Sequence, residues 1–573
     1  MKLMWRYLKR YKGLLCLDAF CTLGFALSEL GIPTLISRMI DQGVLTDNPA
    51  ALSSIFWQLI LVSVVGVAGT SMLAYTSVKL TTTVTYEIRK DLFNHVLTLS
   101  HAEIEKFSIS SLITRTNNDP FQIMNFLNVI LKWALICPVM VIVSFFLIIQ
   151  TSLKLSFVVL ATIPLIIAGV LLVFKKADPL SRKQQESIDS INRILREDMN
   201  GIRVVRSFNA QKQEESRFSA VSKTFETTSE KLFKLMSCSE PAFFFLMNLA
   251  SIAIYLLAMN MLNTGSLLVG QLIAMQEYLF HAMMSVLQIC MVFMMYPRAS
   301  VSARRIEEVL NTKSSLPGKE NARDLDGIDS LEFDHVTFAY PDGEEPVLND
   351  ISFKASKGQK IAVIGSTGSG KSSLSRLIPR FYDVSSGEIR INGKNIKDYK
   401  LESLRDHMSV MSQKAHLFKG SVTENIRFGN QSASLDLVQH SARIAQAEGF
   451  ILDRADQWDF EITEDGSNVS GGQKQRLSIA RGLVRNSDLY IFDDSFSALD
   501  LKTDAALRKA LVPLRDSSIF LIIAQRVSTI LDADQIIVLD EGKVVGQGTH
   551  EQLMKTCQLY QEIAESQMGK AGE

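Results

Sequence analysis

A run of glycines, hydroxyl side chains and one lysine between residues 365 and 373 has the composition and spacing of a phosphate-binding loop. Its glycines allow backbone N–H groups to wrap a phosphate chain, Lys371 can reach the outer oxygens, and the Ser372 hydroxyl can ligate Mg²⁺. An apolar strand is predicted before the loop, at 360–364, and a helix after it. The residues predicted to contact a nucleotide here are Gly365, Ser366, Thr367, Gly368, Ser369, Gly370, Lys371, Ser372 and Ser373.

Two adjacent acids, Asp493 and Asp494, follow a second apolar stretch at 489–492. Because an acid at the carboxyl end of a parallel strand lies where phosphates bind, Asp493 is predicted to hold the shell of a Mg²⁺ ion. Asp494 is then placed to orient or deprotonate an attacking water. Upstream of the acids, Val469–Gln473 precedes a helix predicted from Lys474 to Arg485 and can present N–H groups to a phosphate.

The chain that must position these residues divides into an apolar half and a half of mixed composition. It has 573 residues, of which 47% are hydrophobic, and no net charge, so bulk charge gives no argument for a nucleic-acid partner. Six scattered cysteines without a CxxC pair are interpreted as small, mostly buried side chains rather than disulfides or metal ligands.

The apolar half contains six segments that are each long enough to cross a hydrocarbon core of about 30 Å, which needs about 20 helical residues. Basic residues before the first segment predict that the N-terminus, and with it the C-terminal half, lies in the cytoplasm. We therefore expect a transmembrane domain at 1–310, a polar linker at 311–330 and a nucleotide-binding domain at 331–573. The helices are predicted at about 14–36, 51–78, 130–152, 155–174, 241–262 and 266–297, continuing into the cytoplasm.

Two acids, Glu29 and Glu277, fall inside predicted spans. An ionisable group in a bilayer is costly, so each is a candidate substrate contact, and pairing inside the bundle is the open alternative. The last two spans are rich in methionine and phenylalanine, which suits varied apolar ligands but is more often core or lipid-facing surface. The residues concerned are Phe243, Phe244, Phe245, Met247, Met259, Met261, Met283, Met284, Met291, Met294 and Met295.

Taken in order, these features resemble an ABC exporter half-transporter across nearly the whole chain. The resemblance implies an all-α six-helix transmembrane domain followed by an α/β P-loop nucleotide-binding domain, with ATP and Mg²⁺ as cofactors. It assigns a base-stacking position to Tyr340, a Q-loop and a metal contact to Gln413, a signature to Ser470, Gly471, Gly472 and Gln473, a D-loop to Asp500 and a switch to Gln525. It also implies that Phe107–Asp119 and Glu197–Ala210 contact the ATPase domain.

Two residues depart from the family pattern, which has Glu at the position of Asp494 and His at that of Gln525. Asp is one methylene shorter, and a misplacement of about 1 Å at a reacting group can cost roughly a hundredfold in rate. Gln525 can donate a hydrogen bond but cannot become cationic. The intact binding loop beside these changes predicts a site that binds ATP and hydrolyses it poorly.

In this family two ATPase domains meet head to tail, so a half-transporter acts as a dimer. We expect a heterodimer with a second half-transporter that carries the Glu and the His, and a slow homodimer is the alternative. The predicted function is multidrug-type export of small amphipathic compounds across a bacterial-type plasma membrane. Two alternatives stay open, a lipid or lipopeptide flippase and an ATP-gated channel or regulator. The six spans exclude a soluble ABC ATPase that acts on nucleic acid.

Overall fold

The structure is a computed structural model that describes residues 2–316, 318–319 and 321–568. The chain forms two compact units. The helical unit comprises Met1–Leu97 and Ile109–Thr312, and the sheet unit comprises Thr98–Ser108 and Lys313–Glu573.

Long helices make up the N-terminal half. In chain order they are α1 Lys2–Leu8, α2 Lys12–Met39, α3 Pro49–Thr98, α4 His101–Phe107, α5 Ile109–Thr151, α6 Leu153–Asn200, α7 Ile202–Ser207, α8 Gln211–Asn263 and α9 Val269–Asn311. Over the described residues, six helical segments are long and apolar enough to cross a membrane: Lys2–Val44, Pro49–Thr98, Ile109–Thr151, Leu153–Asn200, Gln211–Asn263 and Val269–Asn311. The helices extend beyond the apolar runs because the charged sequence that flanks each run is also helical, before the run in α5 and α8 and after it in α3, α6 and α9.

Pairwise helix packing buries the core of the helical unit. Helix α5 packs along α9, and α6 packs along α8. The contacts bury Ile148 and Leu155 around the α5–α6 turn, Ile254 on α8 and Met275 on α9, each fully out of contact with solvent.

The start of α9 is held by Asp41, which lies in the turn after α2. Its carboxylate accepts the N–H groups of Gly270 at 2.7 Å and Gln271 at 3.1 Å. These N–H groups have no acceptor inside their own helix, so the Asp41 carboxylate satisfies them as hydrogen-bond donors. The negative charge of Asp41 also interacts favourably with the positive end of the helix dipole. A Cβ at Gly270 would lie 2.3 Å from the Ser37 carbonyl oxygen, so glycine is needed for this approach.

The sheet unit is built from short strands. They are β1 Ser330–Phe338, β2 Leu348–Ser356, β3 Lys360–Gly365, β4 Ser386–Ile391, β5 Lys394–Asn395, β6 Met408–Met411, β7 Gly420–Ser421, β8 Glu461–Ile462, β9 Leu489–Asp493, β10 Ile519–Ile523, β11 Gln535–Asp540 and β12 Lys543–Gly548. Its helices are α10 Lys371–Leu377, α11 Leu401–Asp406, α12 Val422–Arg427, α13 Leu435–Ile444, α14 Glu448–Leu452, α15 Gly471–Leu483, α16 Leu501–Arg515, α17 His550–Thr556 and α18 Gln558–Met568.

The larger sheet has the strand order β12-β11-β3-β10-β9-β6 among the described residues, and its strands are parallel except β12. Strands β3 and β10 are buried along almost their whole length, which explains their continuous apolar sequence. The register pairs Ile523 with both Val363 and Asp493. The segments that follow β3, β9 and β10 therefore leave the same edge of the sheet. An antiparallel sheet, β2-β1-β4-β5, lies beside them in the same unit. This architecture confirms the predicted fold class.

The short helix α4 belongs to the sheet unit. The Tyr382 hydroxyl donates to the Glu105 carboxylate at 2.8 Å, and the His101 ring lies edge-on to Tyr382. Of the expected contact element at 107–119, Phe107 and Ser108 belong to the sheet unit and the chain from Ile109 onward is helix α5 of the helical unit, and the contact of the element with the ATPase domain stays a prediction.

The second expected contact element, 197–210, lies in the helical unit and includes the short helix α7. The segment predicted as a polar linker also differs in part from that description. Its residues Leu325 and Ile328 are buried in the core of the sheet unit, where a solvated linker would leave them exposed.

Candidate functional site

The loop between β3 and α10 has the backbone shape of a cradle. Gly368 and Gly370 have φ angles of +87° and +96°, which L side chains rarely adopt. A Cβ at Gly365 would lie 2.0 Å from the Leu539 carbonyl oxygen, and one at Gly370 would lie 2.6 Å from Leu348 Cδ2. Any side chain at Gly365 or Gly370 would displace the loop. The glycines therefore allow the backbone to follow a path that can surround a phosphate.

Lys371 folds back over this loop. Its ammonium donates to the carbonyl oxygens of Gly365 at 2.9 Å and Ser366 at 2.6 Å. Burial lowers the pKa of Lys371, and the nearby carboxylates of Asp494 and Asp493 act in the opposite direction. These contacts hold the Lys371 ammonium at the loop, where its flexible side chain could reach a bound phosphate.

Asp493 ends β9 and faces the first turn of α10. Its carboxylate accepts the hydroxyl of Ser375 at 2.9 Å and that of Ser372 at 3.4 Å. Mg²⁺ prefers hard oxygen ligands and is commonly held by one or two carboxylates together with substrate phosphates. In the described part of the chain, no group of three or more His, Cys, Asp or Glu side chains is arranged to hold a metal. The residues present fit a Mg²⁺ ion that arrives with a nucleotide.

Asp494 is held on one oxygen by two glutamines. Oδ2 accepts an amide N–H from Gln525 at 2.8 Å and another from Gln413 at 3.1 Å. The residue is 8% exposed and has a left-handed φ of +50°, and its own N–H donates to Ile523 O at 2.9 Å. Burial raises the pKa of Asp494, while the hydrogen bonds from Gln413 and Ser497 lower it. The three predicted catalytic positions thus converge on a single carboxylate oxygen.

Gln525 is itself fixed by the C-terminal helix α18. The side chain of Gln567 donates to the Gln525 carbonyl oxygen at 2.7 Å and accepts the N–H of Val527 at 2.8 Å. Gln567 was not among the predicted site residues. No local spacing signals a contact between residues 42 positions apart.

Tyr340 lies against the start of α10. Its hydroxyl is 2.9 Å from Ser373 Oγ and accepts a hydrogen bond from Arg376 at 3.3 Å. Tyr382 packs edge-on against its ring with centroids 5.2 Å apart. The aromatic ring therefore borders the phosphate-binding loop, and its role as a stacking surface for a base stays a prediction.

The predicted signature forms the start of α15. Ser470 caps the helix, because its hydroxyl accepts the N–H of Gln473 at 3.3 Å and the Gln473 side chain accepts the N–H of Ser470 at 3.0 Å. Helix α15 therefore starts at Gly471, three residues before the predicted Lys474. Among the described residues no hydrogen bond joins Ser470–Gln473 to the loop at 365–372.

Asp500 caps the next helix, α16, where it accepts the N–H of Thr503 at 2.9 Å. This hydrogen bonding lowers the pKa of the exposed Asp500 carboxyl. Ser497, three residues before Asp500, does contact the site, because its hydroxyl donates to the Asp494 carbonyl oxygen at 2.8 Å. Asp500 is consequently a helix cap, and its predicted contact with nucleotide stays a prediction.

In the helical unit, Glu29 and Glu277 line a shared cavity of about 330 Å³ between α2 and α9. His281, one turn after Glu277, lines it too, and its Nε2 lies 3.6 Å from Glu29 Oε2. Both acids were predicted as candidate substrate contacts, and the histidine was not. The i, i+4 spacing of Glu277 and His281 on one helix was the available signal.

A larger cavity, of about 520 Å³, lies between α6, α8 and α9. Seven of the eleven methionines and phenylalanines singled out in the sequence line it: Phe243, Phe244, Met247, Met283, Met284, Met291 and Met294. We expected most of these residues to be core or lipid-facing. These seven also line one cavity.

Comparisons with known proteins agree with this architecture. Residues 15–286 match the family model of the ABC transporter transmembrane region, and residues 348–497 match the ABC transporter model. An uncharacterized ABC transporter ATP-binding protein, YfiB of Bacillus subtilis (strain 168), is 34% identical over 99% of this chain and 98% of its own length. An ATP-dependent lipid A-core flippase of Haemophilus influenzae (strain 86-028NP) is 30% identical, covering 98% of this chain and 96% of the flippase.

A solved structure of a bacterial Atm1-family ABC exporter with ATP bound superposes with a TM-score of 0.78, covering 100% of this chain and 99% of the exporter. At 23% identity this match supports the fold alone. The sequence relatives carry the family assignment, because they match nearly end to end. The chain is therefore a multi-pass membrane protein of the ABC transporter family, a half-transporter in which an exporter-type transmembrane region is fused to one ABC ATPase domain.

Proposed function

We propose that this half-transporter drives export of small amphipathic compounds as one half of a heterodimer, and that its own ATP site binds ATP but hydrolyses it poorly. The observation that carries the proposal is the environment of Asp494. Both Gln413 and Gln525 donate to its Oδ2, in a site whose phosphate-binding loop is intact.

A water-orienting carboxylate must offer an oxygen to the water at the moment of reaction. At Asp494, Oδ2 already accepts two amide N–H groups, and the side chain is one methylene shorter than a glutamate. The amide of Gln525 is engaged with Asp494 and stays neutral at every pH, so it supplies no positive charge to a developing γ-phosphate. Position and electrostatics therefore both disfavour hydrolysis.

ATP binding requires contacts to the phosphates, the base and the metal ion, and the remaining residues of the site could supply them. Backbone N–H groups from Gly365 to Ser373 would surround the phosphates, Lys371 would neutralise their charge and Tyr340 would pack on the base. Ser372, Asp493 and Gln413 would hold Mg²⁺, which would neutralise part of the phosphate charge.

A second chain completes the proposal. Ser470–Gln473 open α15 with an exposed, well-capped N-terminus, which can present N–H groups to a phosphate bound by another chain. We assign these residues and Asp500 to the site of a partner half-transporter that carries Glu and His at the positions of Asp494 and Gln525.

The remaining assignments concern cargo and place. Glu29 and Glu277 are proposed cargo contacts, since their cavity lies within helices that cross the membrane. The topology that we propose has the N-terminus and the ATPase domain in the cytoplasm and the helices in the plasma membrane. The domain bounds 1–310 and 331–573 are kept with it as a prediction.

The test is restoration of activity by the double change Asp494→Glu with Gln525→His. We expect the purified wild-type chain to bind ATP with negligible steady-state turnover, and the double variant to gain at least roughly tenfold in rate, because a carboxylate misplacement of about 1 Å costs up to a hundredfold. Lys371→Ala is the control that should lose ATP binding. Brisk turnover by the wild-type chain would sink the proposal of a weak site.

A lipid flippase is the second candidate, and the specific support for it is the 30% identity to an ATP-dependent lipid A-core flippase. Reconstitution in vesicles separates the two, because a flippase moves a labelled lipid between leaflets whereas the proposed exporter moves an amphipathic dye out of the membrane against its gradient. Passive conductance gated by ATP would instead indicate a channel.

A further inference from the structure

A small cavity in the sheet unit lies at the amino end of β3, whereas the phosphate-binding loop follows the other end of this strand. Its volume is about 30 Å³. Its described lining residues include three cations, Lys360, Arg508 and Arg515, and one acid, Asp532, and the others are apolar. A cavity of this size holds about one water molecule or one small ion. None of the residues predicted for the ATP site lines it.

Helix α16 supplies two of the cations. Arg508 and Arg515 lie about two helical turns apart, with Leu511 and Val512 between them, so the four side chains share one face of the helix. Lys360, the first residue of β3, supplies the third cation. Because Val512 is exposed, the cavity lies close to the protein surface and is accessible to an ion from solvent.

Each cation pairs with one acid, but two of the three acids are screened by water. The pairs are Lys360 with Asp532, Arg515 with Asp534 and Arg508 with Asp504. The side chains of Asp532 and Asp534 are 57% and 39% exposed, whereas that of Lys360 is only 7% exposed. Since solvent screens exposed charges much more than buried ones, the positive charge at the cavity is compensated less than the number of pairs suggests.

Arg508 also has a buried donor without a partner. Its Nη1 donates to the Ser528 carbonyl oxygen at 3.0 Å, and its Nη2 lies 3.3 Å from Asp504 Oδ2. Its Nε is shielded from solvent and has no hydrogen-bond partner in the described part of the chain. Asp504 Oδ1 also lacks a partner, but Asp504 does not line the cavity. An unsatisfied buried N–H costs free energy, and an acceptor in the cavity could satisfy it.

The three cations act on one another electrostatically. Burial lowers the pKa of Lys360, the contact with Asp532 opposes this shift, and the charges of Arg508 and Arg515 add to the lowering. Positive charges at the wall of one cavity repel each other, and a negative charge between them would relieve this repulsion.

We propose that this cavity binds one small inorganic anion of the halide class, held by Lys360, Arg508 and Arg515. The cavity volume excludes organic anions and polyatomic anions as large as phosphate. The inference is independent of the proposed export function, because all of these residues lie in the sheet unit outside the phosphate-binding loop.

The bound anion stabilises the segment 528–532, which follows the predicted switch residue Gln525. Two of the cations that hold the anion also hold this segment. Arg508 donates to the Ser528 carbonyl oxygen, and Lys360 donates to that of Thr529 at 3.2 Å. Chloride should therefore slow the local opening of this segment.

Hydrogen exchange of the 528–532 segment, read by mass spectrometry, tests the proposal. The full chain in lipid nanodiscs is compared, without nucleotide, in sodium chloride and in sodium gluconate at equal ionic strength, because gluconate is too large for the cavity. At chloride about ten times above its dissociation constant, linkage predicts roughly tenfold slower exchange in chloride than in gluconate. Sodium bromide should act like chloride.

The decisive variants are Arg508→Gln and Arg515→Gln, which each remove one of the three cations. Arg508→Gln also loses the bond to Ser528, so its exchange should rise in both salts. The proposal concerns the difference between the two salts, and each variant should reduce that difference to less than roughly twofold, because loss of one cation weakens anion binding. Arg443→Gln removes an exposed arginine that pairs with Glu448 on another helix, and this matched control should keep the full difference.

Equal exchange of the wild-type chain in the two salts would show that the cavity holds water only, and it would overturn the inference. A chloride effect that persists in both Arg508→Gln and Arg515→Gln would assign it to salt in general and would also overturn the inference. Retained ATP binding by each variant shows that the protein is folded. Because exchange is measured without nucleotide, the result does not depend on hydrolysis at Asp494.

Discussion

At the scale of single residues, the phosphate-binding loop and Asp494 impose different demands on the same sheet edge. The loop needs glycines because backbone and side-chain atoms crowd Gly365 and Gly370. In its proposed role Asp494 would need an oxygen aimed at water, and its Oδ2 is already shared by two glutamine amides. Binding capacity and hydrolytic capacity can therefore be lost independently, which is the physical basis of a site that keeps one without the other.

Gly365→Ala tests the demand for a bare backbone. Its Cβ would lie 2.0 Å from the Leu539 carbonyl oxygen, so β3 and β11 must separate locally. We expect a loss of roughly 2–4 kcal/mol in the stability of the ATPase domain, within the range for severe core overpacking, and loss of ATP binding. Thermal unfolding and nucleotide titration measure the two effects.

Gly449→Ala is the matched control for this substitution. Gly449 lies in helix α14 with no atom within 4 Å of the added Cβ, so alanine should be neutral or stabilise by about 0.5–1 kcal/mol. Equal destabilisation by the two changes would contradict the steric argument.

At the scale of elements, the pattern of strand, loop and helix around residues 360–377 was predictable, because the glycine spacing and the apolar strand are both local signals. The start of α15 was predicted three residues late. The capping by Ser470 and Gln473 was not read from the S-x-x-Q spacing. The placement of Thr98–Ser108 with the ATPase core depends on contacts such as Glu105 with Tyr382, which no local pattern encodes.

The two hydrogen bonds between Gln567 and the 525–527 segment make α18 a positioning element for Gln525. Gln567→Ala removes both hydrogen bonds, including the acceptor for the Val527 N–H. Each such bond contributes about 1 kcal/mol, so the Val527 amide should exchange with solvent roughly fivefold faster or more. Hydrogen exchange read by mass spectrometry of the 525–527 segment measures this.

Gln558→Ala is the control on the same helix, since Gln558 makes an exposed local bond to Glu562. It should leave exchange at 525–527 unchanged. If Gln567→Ala also left exchange at Val527 unchanged, the 525–527 segment would be held by contacts other than those with α18.

At the scale of the whole molecule, the chain carries the transmembrane region and the ATPase domain of one half-transporter. The need for a second half-transporter could be predicted only from the resemblance to the family. The apolar runs gave the number of spans because each run alone has the length of a bilayer. They could not indicate the methionine-lined cavity, because which faces of α6, α8 and α9 meet depends on packing between distant segments.

Ser470→Arg tests the assignment of the signature to a partner's site. The bulky cation would block the exposed start of α15 and remove its cap, a loss of about 0.5–2 kcal/mol in stability. In a reconstituted heterodimer we expect turnover at the partner's site to fall at least roughly tenfold, because removal of one preorganised donor to developing charge can cost roughly 10²–10³ in rate.

Ser434→Arg removes an equivalent helix cap, that of α13, and serves as the control. It should cost similar stability and leave turnover near the wild-type rate. Equal losses of turnover from the two variants would assign the effect to folding instead of to the signature.

If the site beside Asp494 binds ATP and hydrolyses it poorly, as we propose, ATP should stay intact after binding, and the identity of the bound nucleotide shows whether it does. The purified wild-type chain is loaded with radiolabelled ATP and Mg²⁺, freed of excess nucleotide, and sampled over time for bound ATP and ADP. We expect bound nucleotide to remain ATP over many minutes on the wild-type chain, and the Asp494→Glu with Gln525→His variant to convert it to ADP. Prompt appearance of ADP on the wild-type chain would show that the site hydrolyses ATP and is not a weak one.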